Sequence, residues 1–292
     1  MTILSNGNNS YIAVANGEIV YALDGSDFIF GGGRSGTVLY GGQGSDAMFG
    51  YGGYGDMYGG TGNDWLYVNT IDSGVVDLYG GEDDDVIQNA GSGGATMYGG
   101  GGADGIFGGS GDDYIYGGED DDTDTASVTA GGLHKILSVA GLYGGGGDDY
   151  IDGGRGDDYL EGGPGDDKLY GGDGDDVLSG GLGRNKMWGG DGSDAFLFDV
   201  TPAAGTYTDI KGFVHGTDRI WLEDTIFTAL GDKVGRKEFY EGKNAHDKND
   251  FLIYKKETKL FYDEDGKGGS GKVLIAKFDK GTHLDHHDFF MV

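Results

Sequence analysis

Residues Gly144–Ser179 read GGGGDDYID GGRGDDYLE GGPGDDKLY GGDGDDVLS, four copies of a nine-residue pattern without a gap. The pattern is GGxGxDxUx, in which U is a large apolar residue. Further full copies begin at Gly41, Gly59, Gly99, Gly108 and Gly189, and near matches begin at Asp24, Gly80, Gly117 and Gly180. A fixed short period predicts a stack of small, similar units.

Each nonapeptide predicts half of a coil. The glycines allow a tight reversal with positive φ and leave backbone carbonyls exposed to a cation. The residues xUx then form a short strand in which one side chain, such as Ile151 or Leu160, points inward. Two nonapeptides complete one turn of a flattened parallel β-helix. The predicted fold is therefore all-β, a right-handed calcium-stabilised parallel β-roll.

The aspartate at the sixth position predicts a calcium site between neighbouring coils. Ca²⁺ takes six to eight oxygen ligands at about 2.3–2.6 Å, more than one turn can offer. Residues eighteen apart share one edge of the roll, so carboxylates and glycine carbonyls of two coils surround each ion. The rule pairs Asp149 with Asp167, Asp158 with Asp176, Asp176 with Asp194, and Asp167 with Asn185 in a weaker site.

The same rule predicts an uneven distribution of sites. Asp27 to Asp122 recur at spacings suited to one edge, whereas the turns between them have lost their carboxylates. We expect calcium along one edge before Gly144, along both edges after it, and about eight ions in all. The predicted ligands are Asp27, Gly42, Gly44, Asp46, Asp64, Asp85, Asp104, Asp113, Asp122, Gly145, Gly147, Asp149, Gly154, Gly156, Asp158, Gly163, Gly165, Asp167, Gly172, Gly174, Asp176 and Asp194.

The repeat is irregular over residues 123–143. Gly117 and Gly144 are 27 residues apart, the length of three half coils, which favours a metal-free coil. A short helix or an excursion from the roll is the alternative.

The composition changes after Leu197, where fourteen of the twenty Lys and Arg residues lie. Stretches within 209–223, 251–254, 259–262 and 272–278 predict strands, with a turn over 263–271 between the last two. A stack of coils needs a cover for its apolar end. We therefore predict an N-terminal cap at 1–21, the roll at 22–198 and a β-rich C-terminal cap at 199–292.

The chain is strongly acidic, with a formal net charge of −30, 66 Gly and no Cys among 292 residues. This charge disfavours nucleic acid as a partner and favours divalent cations. Neither a signal peptide near Met1 nor a transmembrane segment is predicted. Without metal, carboxylate repulsion should exceed the burial of a thin core, so folding should depend on calcium.

These repeats resemble the RTX hemolysin-type calcium-binding family. The segment Asp209–Leu222 resembles the C-terminal module of serralysin-type proteases and other RTX exoproteins, and Asp288–Val292 is similar to their uncleaved secretion signal. The resemblance implies type I secretion machinery as a partner, an extracellular location and folding outside the cell. An ordinary edge strand would give the same terminal pattern.

Catalytic motifs such as HExxH and GxSxG do not occur in the sequence, which predicts a protein that is not an enzyme. His283, His286 and His287 have a spacing that suits a transition metal on one helical turn, but a solvated terminal turn is the favoured interpretation. Five tyrosines suggest either lateral packing between coils or a carbohydrate-binding stripe, namely Tyr51, Tyr54, Tyr58, Tyr67 and Tyr79.

Three functions remain open. The first is a non-enzymatic adhesion, surface or matrix protein that contacts an extracellular polysaccharide or a host surface. The second is a membrane-interacting protein that resembles the nodulation-secreted RTX protein. The third is a carbohydrate-binding accessory module that resembles those of mannuronan C-5 epimerases.

Overall fold

The computed structural model describes residues 1–13, 17–31, 36–51, 55–69, 76–120, 122, 127–130, 133–136, 141–242, 249–255, 258–266 and 271–292. Within them the chain forms two compact units, Met1–Tyr159 and Leu160–Val292. Strands and two short 3-10 helices are the regular elements of the described residues.

The first unit consists of two rows of short parallel strands, and the chain alternates between the rows. The first row contains β1 (Thr2–Ile3), β3 (Ile19–Asp24), β5 (Val38–Gln43), β7 (Met57–Thr61), β9 (Val76–Glu82), β11 (Ala95–Gly101), β13 (Tyr114–Gly118) and β17 (Tyr150–Arg155). The second row contains β2 (Ser10–Ala13), β4 (Phe28–Gly31), β6 (Ala47–Tyr51), β8 (Trp65–Asn69), β10 (Val86–Asn89), β12 (Gly105–Phe107) and β16 (Gly141–Tyr143). This alternation is the predicted parallel roll.

The core of the first unit is two ladders of apolar side chains, one from each row. The register places the apolar residue of one coil against that of the next, as in Leu39 against Met57 and Met48 against Leu66. All members of both ladders are fully buried. The first ladder is Val20, Leu39, Met57, Leu78, Met97, Ile115 and Ile151, and the second is Ile29, Met48, Leu66, Ile87, Ile106 and Leu142.

The coil pattern extends to the N-terminal end of the described chain. Thr2 pairs with Val20, and Ser10 pairs with Phe28, in the same parallel register as the later coils. Strands β1 and β2 therefore belong to the stack, and the division of the chain at residue 21 stays a prediction.

The described residues between Asp122 and Gly141 lie outside the two rows of the roll. Strand β13 pairs directly with β17, and β12 pairs directly with β16, so no coil lies between them. Strands β14 (Ser127–Ala130) and β15 (Leu133–Ile136) form a separate antiparallel hairpin. The prediction of a metal-free coil is wrong, because the 27-residue spacing came from an insertion and not from three half coils. The alternative of an excursion is correct.

The second unit also has two rows of strands. The first row runs in the order β19 (Lys168–Asp173), β21 (Lys186–Asp191), β23 (Thr208–Lys211), β28 (Val273–Lys277), β27 (Lys259–Tyr262), β26 (Leu252–Lys255) and β25 (Phe239–Glu241). The second row runs in the order β18 (Tyr159–Glu161), β20 (Val177–Ser179), β22 (Ala195–Phe198), β24 (Arg219–Leu222) and β29 (Phe289–Met291). The 3-10 helices are η1 (Thr228–Leu230) and η2 (His286–Asp288).

Parallel coils change to antiparallel strands within this unit. β23 and β24 continue the parallel pairing of β21 and β22, whereas β26, β27 and β28 pair antiparallel. These strands agree with the segments that the sequence predicts, and they bury large side chains such as Phe227, Tyr254 and Phe278. The terminal apolar residues form β29, which pairs with β24. They therefore form a strand of the second row, and their role as a secretion signal stays a prediction.

Candidate calcium sites

The glycines of each turn bring the acidic side chain close to the backbone. Gly42 has a φ of 113°, which side chains rarely adopt, and a Cβ there would lie 1.9 Å from the carbonyl oxygen of Leu23. The adjacent coils therefore approach each other too closely for any other residue. This contact places the sixth-position aspartates of successive coils directly above one another.

A first column of buried aspartates precedes the strands of the second row. The backbone N–H of each aspartate donates to Oδ1 of the aspartate one coil further along the chain, as Asp64 does to Asp85 at 2.7 Å. In the first unit the column contains Asp27, Asp46, Asp64, Asp85, Asp104, Asp122 and Asp158. In the second unit the same bonds join Asp176 to Asp194 and Asp194 to Asp218.

A second column precedes the strands of the first row and is shorter. Asp113 donates its N–H to Asp149 Oδ1 at 2.7 Å, and Ala95 donates to Asp113 in the same way. In the second unit Asp167 donates to Asn185 Oδ1 at 2.9 Å. In earlier coils, the strand register places other residues at the position equivalent to Asp113, such as Ala95 at β11, Val76 at β9 and Thr37 just before β5. Among the described residues, buried carboxylates thus line one edge up to residue 104 and both edges from Asp113 onward.

The second carboxylate oxygen, Oδ2, has no hydrogen-bond donor in seven of these aspartates. The seven are Asp27, Asp46, Asp64, Asp85, Asp104, Asp113 and Asp194, all of them among the described residues. Each is at most 1% exposed. A buried polar atom without a partner is costly, and a buried charge more so, unless a cation satisfies it.

In seven of the described turns, an aspartate Oδ2 and a glycine carbonyl oxygen converge on one small space. The point where a Cβ would stand on Gly41 lies 2.3 Å from Asp46 Oδ2 and 2.6 Å from the carbonyl oxygen of Gly59. The same convergence, at 2.1–2.7 Å, recurs above Gly59, Gly80, Gly99, Gly108, Gly117 and Gly171. Two oxygens from adjacent coils that face one gap are the kind of donor set that Ca²⁺ requires.

These carbonyls belong to the first glycine of each pair. The sequence prediction selected the second and fourth glycines, and all of these except Gly165 have positive φ. The carbonyl oxygen of Gly163 accepts the N–H of Leu182 at 2.9 Å. The first glycines are not among the predicted ligands, because sequence spacing does not show on which side of the turn a carbonyl points.

Burial and mutual repulsion raise the pKa of the column carboxyls. The pKa of Asp46 is raised to about 7, mainly by burial, and that of Asp64 to about 8. Asp85 reaches about 10, because burial is joined by the charges of Asp64 and Asp104. Asp113 reaches about 8, chiefly through burial. Carboxyls with pKa values of about 8–10 are mainly protonated at neutral pH unless a nearby cation favours the charged form.

Two asparagines show what replaces a cation. At Asn185 the side-chain Nδ2 donates to the carbonyl oxygen of Gly180 at 2.6 Å. Asn9 occupies the start of the first column, where its N–H donates to Asp27 Oδ1 and its Nδ2 donates to the carbonyl oxygen of Ser5 at 2.6 Å. The neutral amide N–H thus presents a partial positive charge to a carbonyl oxygen, a role that a metal ion would fill at the aspartate positions.

The last carboxylate of the first column has protein donors on both oxygens. Asp218 Oδ1 accepts the N–H of Asp194 at 3.3 Å, and its Oδ2 accepts the N–H of Val214 at 2.7 Å. The sequence prediction missed Asp218, because the 24-residue step from Asp194 departs from the repeat. The column thus ends on a carboxylate whose two oxygens both accept backbone N–H groups.

Parallel coils with buried carboxylates that face glycine carbonyls define a calcium-dependent β-roll. A family model described as the RTX calcium-binding nonapeptide repeat, in four copies, matches residues 13–33, 38–57, 89–124, 142–160 and 161–196. These segments of the chain are therefore RTX calcium-binding nonapeptide repeats of the hemolysin type. The family model confirms the predicted repeats and calcium as the ion, while the number of ions stays a prediction.

Comparison with solved structures gives the AlgE6R3 subunit of the mannuronan C5-epimerase from Azotobacter vinelandii. The two chains share 27% sequence identity, the match covers 52% of this chain and 80% of that one, and the TM-score is 0.34. No curated protein gives a significant match. The likeness of the C-terminal part to a serralysin-type module stays a prediction.

Proposed function

We propose that the chain is a secreted, non-enzymatic protein whose roll folds when it binds calcium outside the cell. The observation that supports this most directly is the column of buried carboxylates with Oδ2 atoms that lack a donor. A folded roll without metal must either protonate these groups or bear their repulsion. Binding energy at the sites is then also folding energy, as in other metal-coupled domains.

The calcium dependence gives a physical reason for folding after export. Extracellular calcium modules have dissociation constants of about 10⁻⁴–10⁻³ M, well above free calcium in a cytoplasm. We propose that the chain passes a type I exporter unfolded and meets its ligand ion afterwards. Among the described residues, no helix has the length and apolar character needed to cross a bilayer.

We further propose a role in adhesion, surface coating or an extracellular matrix. The first row of the first unit presents a ladder of tyrosines, in which Tyr58, Tyr79 and Tyr98 stack with centroids 4.8 Å apart and nearly parallel rings. The ring faces cover one another, so the ladder presents hydroxyls and ring edges to its surroundings. This geometry favours lateral packing over a carbohydrate stripe, which needs exposed ring faces. Tyr54 lies outside the described residues.

A calcium titration followed by circular dichroism tests the folding claim. We expect a cooperative change from coil to β-structure, its reversal by EGTA, and a much weaker response to Mg²⁺, which prefers octahedral sites with retained waters. Asp176→Ala should raise the midpoint, because it removes the carboxylate oxygen that faces the gap above Gly171 together with the carbonyl oxygen of Gly189. A chain that is equally β-rich in excess EGTA would overturn the proposal.

Binding assays test the surface role separately. The calcium-loaded protein is applied to glycan arrays, to host-cell surfaces and to liposomes filled with a dye. Calcium-dependent retention on a surface without dye release supports adhesion. Dye release would favour the membrane-interacting alternative, and the absence of retention on every surface would contradict the proposed role.

A further inference from the structure

The second unit brings together three metal-ligating side chains from two separate segments. His215 lies between β23 and β24, whereas His283 and Asp285 lie just before η2. One ligand atom from each of the three lies within 4.8 Å of the others. Bonds to zinc from histidine and carboxylate ligands are about 2.0–2.2 Å long, so small side-chain rotations would close this triangle around one ion.

Asp288 holds His215 in the orientation that metal sites use. Both carboxylate oxygens of Asp288 contact His215 Nδ1, at 2.9 and 3.0 Å. The Asp288 side chain is 1% exposed and also accepts the backbone N–H of Asp285 at 2.7 Å and that of Gly216 at 3.3 Å. A metal-bound histidine usually donates its other ring N–H to such a carboxylate. The arrangement leaves Nε2 of His215 for an ion.

The other two side chains are positioned by local contacts. The ring of His283 packs edge-on against that of His215, with centroids 4.5 Å apart. Asp285 Oδ1 accepts the backbone N–H of His287 at 2.7 Å and so caps η2. The cap fixes the carboxylate and leaves its second oxygen for a ligand.

We propose that His215, His283 and Asp285 bind a transition-metal dication of the zinc class, with Asp288 as a positioning residue. Imidazole nitrogen suits such ions, whereas Ca²⁺ prefers oxygen alone, so the site is chemically distinct from the calcium columns. Three protein ligands leave a fourth position for water. The ion would join the loop after β23 to the segment that leads into β29, and so fasten the last strand.

A neighbouring group is the main competitor. Asp285, His286 and His287 also offer ligand atoms within 4.8 Å of one another. They are nearly consecutive in the chain, and His287 Nδ1 already contacts Asp285 Oδ1 at 3.0 Å. In the described contacts, His286 and His287 have no buried carboxylate that orients them as Asp288 orients His215. The geometry therefore favours the set that includes His215 over the sequence cluster of His283, His286 and His287.

The test uses the full chain folded in saturating calcium, which keeps the columns occupied. Zn²⁺ is titrated by calorimetry, and Co²⁺ replaces it as a spectroscopic probe, because nitrogen ligands in a four-coordinate site give intense visible absorption. We expect one Zn²⁺ per chain in the wild type. His215→Ala and His283→Ala should each weaken binding at least tenfold, while His287→Ala should change it less than about threefold.

Asp288→Asn tests the positioning role. It should weaken Zn²⁺ binding about 10–100-fold and leave the shape of the Co²⁺ spectrum unchanged, since the ligands remain. Each variant must first show the wild-type calcium-induced circular dichroism, and His215→Gln serves where alanine disturbs folding. Absence of Zn²⁺ binding at micromolar concentrations in the wild type overturns the proposal. Loss of binding in His287→Ala with retention in His215→Ala also overturns it.

Discussion

Replacing Asn185 by aspartate should create an additional calcium site in the second column. The Nδ2 of Asn185 donates to the carbonyl oxygen of Gly180 at 2.6 Å. Asn185→Asp puts a carboxylate oxygen at this place, so two oxygens face each other without a proton between them. A buried group left without its hydrogen bond costs about 1–3 kcal/mol. At calcium concentrations that barely fold the wild type, the variant should be less stable by this amount.

Calcium should reverse that loss. With a dissociation constant of about 10⁻⁴–10⁻³ M, one more ion at about 10 mM calcium contributes about 1.4–2.7 kcal/mol. The difference in stability between variant and wild type should therefore shrink to near zero at high calcium. Urea unfolding at both calcium concentrations measures the energies, and native mass spectrometry counts the ions, with one more expected in the variant.

Asn185→Ala is the matched control, because it removes the same amide donor without adding a carboxylate. It should lose stability by a similar amount at both calcium concentrations. If Asn185→Asp binds no additional ion, or if its stability loss is as independent of calcium as that of the alanine variant, the Oδ2 atoms do not mark calcium sites.

Asp85→Asn should favour the folded roll in EGTA, because the raised pKa of the Asp85 carboxyl reflects burial and repulsion from Asp64 and Asp104. The same substitution should raise the calcium midpoint of folding. Circular dichroism measures both effects, and Glu82→Gln, an exposed charge removed from the same coil, should show neither. Acidification in EGTA should also promote β-structure. The folded-state pKa values are raised, so protonated carboxyls stabilise the metal-free folded roll at acid pH. This stabilisation is lost as the pH rises through the folded-state pKa values, from about 6 for Asp194 to about 10 for Asp85. An unchanged spectrum between about pH 9 and about pH 5 would contradict this. Tyr79→Ala removes two stacking partners and should cost about 1–3 kcal/mol in urea unfolding, about twice the loss from Tyr21→Ala, which removes one.

The regular parts of the roll follow from the sequence, because the repeat fixes both spacing and side-chain direction. One apolar residue per half coil predicts the buried ladders, and one aspartate per turn predicts the column from Asp27 to Asp122. Calcium along a single edge before Gly144 stays a prediction, while the buried carboxylates of the described residues occupy one edge as far as Asp104 and both edges from Asp113. The repeat spacing predicts these positions because each coil must stack on the preceding coil.

Features that interrupt the repeat escape sequence reasoning. Asn6-Gly7-Asn8-Asn9 repeats Asp24-Gly25-Ser26-Asp27 with amides in place of carboxylates, and a search for glycine pairs passes over it. The segment that contains β14 and β15 has a length compatible with a coil, so only the strand pairing shows that this hairpin lies outside the stack. His215 and His283 are far apart in the chain, and their proximity depends on how β28 and β29 pair with the roll.

The hydrogen bonds of the first column all run in one direction. In the first unit, the main-chain N–H of each coil depends on the acidic side chain of its C-terminal neighbour, from Asn9 as far as Asp158. Removing a coil from the C-terminal side takes an acceptor from the coil that remains, while removing one from the N-terminal side takes only a donor. The stack therefore has a direction, because its N-terminal and C-terminal ends offer different hydrogen-bonding groups. We expect ordered turns to be added most readily toward the N-terminus, each new turn meeting an acceptor already in place.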